Sequence, residues 1–318
     1  MDAISIYTEN DLTAVEMNVD AIADAADLNW EVIKKPALFY DAESKLKPST
    51  KSFLFLNKDG EQTELDIVGG DFKPLQPKQL ISTFLKLSTE LGLKLISAGH
   101  TRNGKHIYLI ASLDDNVEVD DLNFKKCLFF STSNDGNAKT KITPICINED
   151  VNCQITQSRA PKQKEDSYTL SHHFEFDVFE ATQRIKENYE RWDTFFDDIE
   201  MLGNVPANKD TITDFHHRIY QRFTIGNAST IRKYEIVMHE LWESYEKTNA
   251  ILPPKKQGTL LAAFLSFCEY IDFSKHRKGG FSGKVHSINF AADELTKRTA
   301  LYLCKDIAAK LISAAHSE

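Results

Sequence analysis

The sequence predicts an α+β protein: a mostly antiparallel sheet with a covering helix in the first half, then a helical region. Three observations carry this. Apolar segments at 52–57 and 64–68 flank the turn Lys58-Asp-Gly60, which is the pattern of a β-hairpin. Pro77 then opens a stretch in which Leu80, Ile81, Phe84, Leu85 and Leu91 recur at helical spacing. Beyond about Thr169, apolar residues recur at three- and four-residue steps, and the strand signal is gone.

Taken in order, residues 1–28 form an acidic arm, with a short amphipathic helix expected at 20–27. From Trp30 to Asn148 the pattern is strand-rich. Gly69-Gly70 ends the first hairpin, and the helix from Pro77 covers one face. Strands follow at 93–97 and 107–112, joined by Arg102-Asn-Gly-Lys105, whose central residues tolerate positive φ. Two more, at 127–131 and 141–147, flank the turn Asn134-Asp-Gly136. The stretch 155–170 is polar, contains Pro161, and marks a boundary. The expected organisation is therefore an arm at 1–28, a sheet domain at 29–165 and a helical domain at 166–318. In the last, one long helix is expected over 174–201, ending near Gly203. Thr211 or Thr213 caps the next, and Ser229 or Thr230 starts another. Pro253-Pro254 precedes a helix at 259–273, and a loop at 274–288 leads to a final helix at 290–315.

The net charge of -9 is unevenly spread. Eight acids and no Lys or Arg lie in residues 1–33, so the rest carries 39 of the 47 acids against all 38 bases. A near-neutral body of this kind can still present a basic patch. Five cysteines at irregular spacing do not form a disulfide framework. No secretory signal and no run of ~18–20 apolar residues is present. The expectation is a reduced, cytoplasmic protein with no membrane partner.

Catalytic motifs are missing. Cys146 and Cys153 are seven apart, with His172-His173 and His216-His217 downstream, whereas zinc sites use tight cysteine pairs. Gly69-Gly70, Gly279-Gly280 and Gly283 match neither phosphate-loop pattern. Asp114-Asp115 and Asp120-Asp121 read as solvated acids between strands, and Asp197-Asp198 as helix surface charge. A nuclease would need such carboxylates to converge. No metal or cofactor is expected, and the chain is not read as an enzyme.

Basic clusters are the main functional signal. Residues 125–164 carry a net charge of +4, including Lys125, Lys126, Lys139 and Lys141. Residues 272–286 carry +3, through Lys275, Arg277, Lys278 and Lys284, among Phe273, Phe281 and several glycines. Flexible cations, close glycine amides and aromatic faces suit phosphates and bases. The bland alternative for each cluster is a solvated loop.

Several segments resemble one family: Val68-Gly-Gly-Asp-Phe-Lys-Pro-Leu-Gln76, Ser97-Ala-Gly-His-Thr-Arg-Asn-Gly-Lys-His-Ile-Tyr108, Ser131-Thr-Ser-Asn-Asp-Gly136, Thr143-Pro-Ile-Cys-Ile-Asn148 and Ser171-His-His173. Gly258-Thr-Leu-Leu-Ala-Ala263, Glu269-Tyr-Ile-Asp272 and residues 291–303 extend the match. Together, from about Trp30 to Leu311, they resemble the phage/plasmid-like proteins, a family known as a domain of unknown function. One departure is Pro144-Ile145, where the family commonly has basic residues before its Cys-x-Asn segment. The resemblance implies a mobile-element protein associated with phage replication and recombination. The hairpin–helix–strand order is also similar to the core of Rad52-like single-strand annealing proteins.

The functional expectation is a phage-encoded protein that binds and anneals single-stranded DNA as a ring or filament in the host cytoplasm. Its contacts would be Arg102, Lys105, Lys125, Lys126, Lys139, Lys141, Lys275, Arg277, Lys278 and Lys284. The alternative is a non-enzymatic phage protein that binds a host or phage protein, such as a replication or recombination protein, to modulate defence or replication, with the acids at 20–27 as its contact or nucleic-acid mimic.

Overall fold

The computed structural model describes residues 12–136, 138–156, 168–170, 177–187, 190–220, 228–277 and 279–315. A short helix, α1 (Val19–Ala25), is capped by Asn18, whose Oδ1 accepts from the Ala21 N–H at 2.8 Å. It buries Ile22 and Ala23 against α2 (Pro77–Leu91). Two of its neighbourhood's acids are engaged: Asp20 pairs with Lys78 at 2.8 Å and Asp27 with Lys58 at 2.6 Å.

Three strands, β1 (Glu31–Tyr40), β2 (Leu46–Lys58) and β3 (Glu61–Gly69), form an antiparallel sheet in sequence order. The expected Asp59-Gly60 turn joins β2 to β3 with both residues at positive φ. A second antiparallel sheet follows, in the order β4 (Lys94–Thr101), β5 (His106–Val119), β6 (Leu122–Ser133), β7 (Thr140–Asn148), β8 (Cys153–Thr156). A short β9 (Tyr168–Leu170) pairs with the other end of β7. β5 and β6 run longer than their apolar segments suggest. The backbone of Asp114-Asp115 lies inside β5, and Asp120-Asp121 makes a two-residue hairpin turn with both φ positive. Asp114-Asp115 therefore belong to a strand and not to a loop, whereas Asp120-Asp121 lie between strands as expected.

The helical half holds α3 (Val178–Glu187) and α4 (Glu190–Gly203), both within the span expected to be helical, and 188–189 lie outside the described residues. α5 (Lys209–Tyr220) is capped by Asn208, not by Thr211 or Thr213, since Asn208 Oδ1 accepts from the Thr211 N–H at 2.9 Å. α6 (Ala228–Ile251) and α7 (Leu260–Glu269, capped by Thr259) precede a π-helical turn, Tyr270–Ser274. The loop expected over 274–288 is mostly helix: α8 (Gly280–Phe290) precedes α9 (Ala292–Ala315). The reason is tertiary. Phe281, Val285 and Ile288 sit on one side of α8, and the last two are buried against the sheet. That burial holds a glycine-rich helix whose own propensity is low.

Sheet alternation sorts the core into layers. Ile107, Leu109, Ala111, Leu128, Phe130 and Ile142 face α2 and the first sheet. Tyr108, Ile110, Cys127, Phe129, Ile145 and Ile147 face α8. The distal ends of β5 and β6, through Leu122 and Phe124, join Cys146, Cys153 and Ile155 in the core of α4–α7 and α9. Apolar packing thus continues from the sheet into the helices. All five cysteines are buried within these layers and free of disulfides.

β8 is an edge strand, and its outward main-chain groups are capped by charge. Gln154 N–H donates to Asp272 Oδ2 at 2.8 Å, and Lys297 Nζ donates to Gln154 O at 2.7 Å. Lys297 and Asp272 close the triangle at 2.8 Å, with side chains 1% and 0% exposed. Burial pushes the Asp272 carboxyl up against the pull of Lys297. Burial also works against the Lys297 ammonium, but Asp272 outweighs it and holds Lys297 above its ordinary value. Lys297→Met leaves Asp272 buried without its cation, and the expected cost is about 3–5 kcal/mol. A fall in urea midpoint, largely recovered in Asp272→Asn/Lys297→Met, is the expected result. An unchanged midpoint in the single variant would show that other bonds hold this edge.

Candidate functional site

The β4–β5 turn projects Arg102 and Asn103 from the end of the second sheet, both at positive φ. Gly104 completes the turn at φ +84°, and a Cβ there would lie 2.5 Å from Leu56 Cδ1. The turn therefore seats on the first sheet through a position that favours glycine. Opposite it, Gly279 and Gly280, at φ 93° and 58°, lead into α8. Between them lies an open cleft of 580 Å³ lined by Arg102, Asn103, Arg277, Ser282, His286 and Ser287, with Gly279 and Gly283. No carboxylate lines it among the described residues.

The cleft wall is built on a buried acid. Asp293 of α9 accepts from Arg277 Nε at 2.9 Å and Nη2 at 2.7 Å, and also binds Lys275 and Ser287. Burial works against this carboxylate, but Lys275, Ser287 and Arg277 overcome it and hold its pKa below the ordinary range. Behind the wall, His106 lies with Nε2 3.4 Å from Asp135, and Ser133 also binds Asp135. The His106 ring packs 4.9 Å from both His286 and Phe290. His286 stacks on Phe290 at 5.7 Å, with its Nδ1 3.5 Å from Thr101 Oγ1.

A second opening lies on the same sheet face, beyond the C-terminal end of α8. It is a pocket of 130 Å³ floored by Phe129, Ile145 and Phe290, with Lys139 and Lys141 in its lining. Strand alternation brings Ser131, Lys141 and Thr143 to this face beside Gln154 and Thr156 of β8. The row His286–His106–Phe290 links the two openings.

The ten sequence-predicted cations have different fates. Arg102 and Arg277 meet in the cleft, and Lys139 and Lys141 meet at the pocket. Lys275 and Arg277 are held by Asp293. Lys105 pairs with Asp66 at 2.8 Å and Lys125 with Glu149 at 2.6 Å. Lys105 holds the Asp66 carboxyl below its usual range. Lys126 lies on the opposite sheet face from Lys125, 5.8 Å over the Phe196 ring, so adjacent strand residues do not form one patch. Lys284 lies over the Phe273 ring at 4.3 Å, and burial lowers its pKa. Lys278 is outside the described residues.

Candidate metal and acid groups are likewise dispersed. Among the described residues, no group of three or more His, Cys, Asp or Glu is arranged to hold a metal. Asp120 pairs with buried Lys256, and Asp198 with Lys305 at 2.5 Å. Burial raises the Cys146 and Cys153 thiols well above their ordinary values; for Cys153 the hydrogen bond with Cys268 is the larger cause. His172-His173 lies outside the described residues. No helix among the described residues is long and apolar enough to cross a membrane.

Sequence reasoning did not find Ser282, His286 and Ser287 in the cleft, nor Gln154 and Asn289 at the pocket. Their signal was faint: Gly279-Gly280 with Gly283 marks a helix start, and Ser131/Ser133 and Lys141/Thr143 alternate onto one face.

The fold and openings define a class: an α+β protein whose polar sheet face is bridged by a glycine-started helix and flanked by cations. Its family follows from the sequence match. Residues 64–300 of 318 fit the model described as Domain of unknown function (DUF932), and the chain belongs to that family. Among curated proteins and solved structures, none matches the chain.

Two histidines make stability pH-dependent. Burial depresses His216 to about 4. It depresses His286 to about 4 as well, with His106 and Arg102 adding to the effect. The unfolded chain takes up these protons as pH falls through about 6.5, while the folded chain resists until about 4. This contribution is therefore complete above pH ~6.5 and is lost progressively on the way down to about 4. The urea midpoint is expected to fall between pH 7.5 and 5, and to fall less in His216→Leu/His286→Gln. Equal falls in the two proteins would rule out these histidines as its source.

Proposed function

We propose that this protein binds single-stranded DNA and promotes annealing in recombination or replication of a phage or related mobile element. The observation that carries the reading is the 580 Å³ cleft, with Arg102, serines and glycines in its lining and Arg277 held in its wall by Asp293. Such a surface suits a phosphodiester backbone: cations neutralise phosphates, and glycines allow close main-chain approach. Lys139, which is exposed, and Lys141 extend the cationic surface along the same sheet face.

The setting comes from sequence resemblance to phage/plasmid-like proteins. The order β1–β2–β3–α2 followed by antiparallel strands supports the Rad52-like comparison as a fold analogy. In an annealing mechanism the protein holds backbones and the bases pair by themselves, so no nucleotide hydrolysis is required. Assembly into a ring or filament is part of the proposal. It is supported by an apolar end of the first hairpin, where Leu38, Phe39, Tyr40 and Leu46 are each at least half exposed.

Fluorescence anisotropy with a labelled single strand tests the reading, with light scattering on the same sample. Binding by an oligomer is expected to weaken steeply between low and moderate salt. Arg102→Glu, and separately Lys139→Glu/Lys141→Glu, should weaken it for all sequences. Each cation removed should also lower the salt slope by roughly one. No binding at low salt would overturn the reading.

A further inference from the structure

The 130 Å³ pocket contains a polar group whose orientation is fixed and whose bonding is incomplete. Val285 O is a main-chain carbonyl and only accepts, so Asn289 must present Nδ2 to it, at 3.0 Å. Asn289 Oδ1 is then the acceptor for its other neighbour, Gln154 Nε2, also at 3.0 Å. This relay determines the Gln154 amide orientation: its nitrogen is used and its oxygen is left over. Gln154 is 1% exposed, and its Oε1 finds no hydrogen-bond partner. A buried acceptor without a donor is costly, and this one belongs to a residue in the pocket lining.

The rest of the pocket describes what would supply the donor. Phe129, Ile145 and Phe290 present flat apolar surface, which suits a planar ring. The volume is close to the about 150 Å³ of a cavity that holds benzene, which matches a single six-membered ring, and the pocket is open on the side where a sugar and phosphate would lie. Glu294, the carboxylate in the lining, is engaged by Arg298 at 2.7 Å. Lys139 and Lys141 supply positive charge for a phosphate attached to the ring.

We propose that this pocket receives a pyrimidine nucleotide and selects cytosine over thymine. The exocyclic amine of cytosine donates to Gln154 Oε1 while its ring lies against Phe129 and Phe290. Thymine offers only a ring N–H flanked by two carbonyl oxygens, which repel the Gln154 carbonyl as they approach. This inference rests on the single-strand reading for its polymeric form and names the base that the strand presents here. Gln154 holds the base, and no bond is made or broken.

The test compares labelled oligo-dC and oligo-dT of equal length by anisotropy, with dCMP and dTMP alone by calorimetry. Wild type should bind oligo-dC roughly tenfold tighter than oligo-dT. Gln154→Met, which removes the acceptor, should abolish the preference while leaving oligo-dT binding in place. Thr143→Ile, which narrows the pocket without touching Gln154, should also abolish it, and circular dichroism confirms that both variants fold. Equal affinity for the two oligonucleotides in the wild type would overturn the base pocket and leave the single-strand reading standing. Binding of dCMP over dTMP, lost in Gln154→Met, with no oligonucleotide bound, would keep the pocket as a free-nucleotide site and overturn the single-strand reading. No binding of any probe would overturn both.

Discussion

The main chain of Gln154 is the constraint on which much of this structure turns. It lies on the edge of a sheet, where an N–H and a C=O would otherwise face outward unpaired. Asp272 and Lys297 take the places that a neighbouring strand would fill. Their own charges cancel in the same contact. The exchange joins three distant parts of the chain: β8, the π-helical turn after α7, and α9. β1 ends the other sheet in a related manner, since the side chain of Gln76 accepts from Val32 N–H at 2.8 Å and donates to Val32 O at 3.0 Å. In both sheets side chains replace a missing strand and blunt an edge that would invite foreign pairing.

The site inherits its geometry from that clamp. Once the β8 backbone is fixed, the Gln154 side chain meets Asn289 of α8, and the last turn of α8 is registered against the sheet. Asp293, at the start of α9, binds Ser287 of α8 and, with it, Lys275 and Arg277 of the segment that leads into the helix. A helix that begins with glycine and has little intrinsic stability is thus held by polar contacts in its last turns and by the tie on the segment that precedes it. The cleft runs beside α8 from Gly279 to Ser287 and the pocket lies past Asn289, so one element sets both.

Much of the sheet region was legible because its information is local. Lys58-Asp-Gly60, Arg102-Asn-Gly-Lys105 and Asn134-Asp-Gly136 all contain residues that tolerate positive φ, and strand pairing follows from the turns. Pro77 marked α2 for the same kind of reason. β1 was hidden because Lys34, Lys35 and Pro36 interrupt its alternation; Pro36 is tolerated there since β1 is an edge strand with a register shift. α8 was hidden because its apolar side is short and its glycines suggest a loop. The cations were visible as a set, but their fates were not, because each depends on a distant partner: Lys105 on Asp66, Lys125 on Glu149, Arg277 on Asp293. Gln154 carried no signal at all, since its role exists only once α8 and α9 have docked.

The five buried thiols give the chain internal reporters of its own breathing. Cys127 lies in the layer beneath α8, whereas Cys146, Cys153, Cys268 and Cys304 lie in the core shared with the helices. Burial keeps all five from water, so an alkylating reagent reaches each one only when its layer opens. The order in which they are modified would time the lifting of α8 separately from the loosening of the helical core, without any label being introduced.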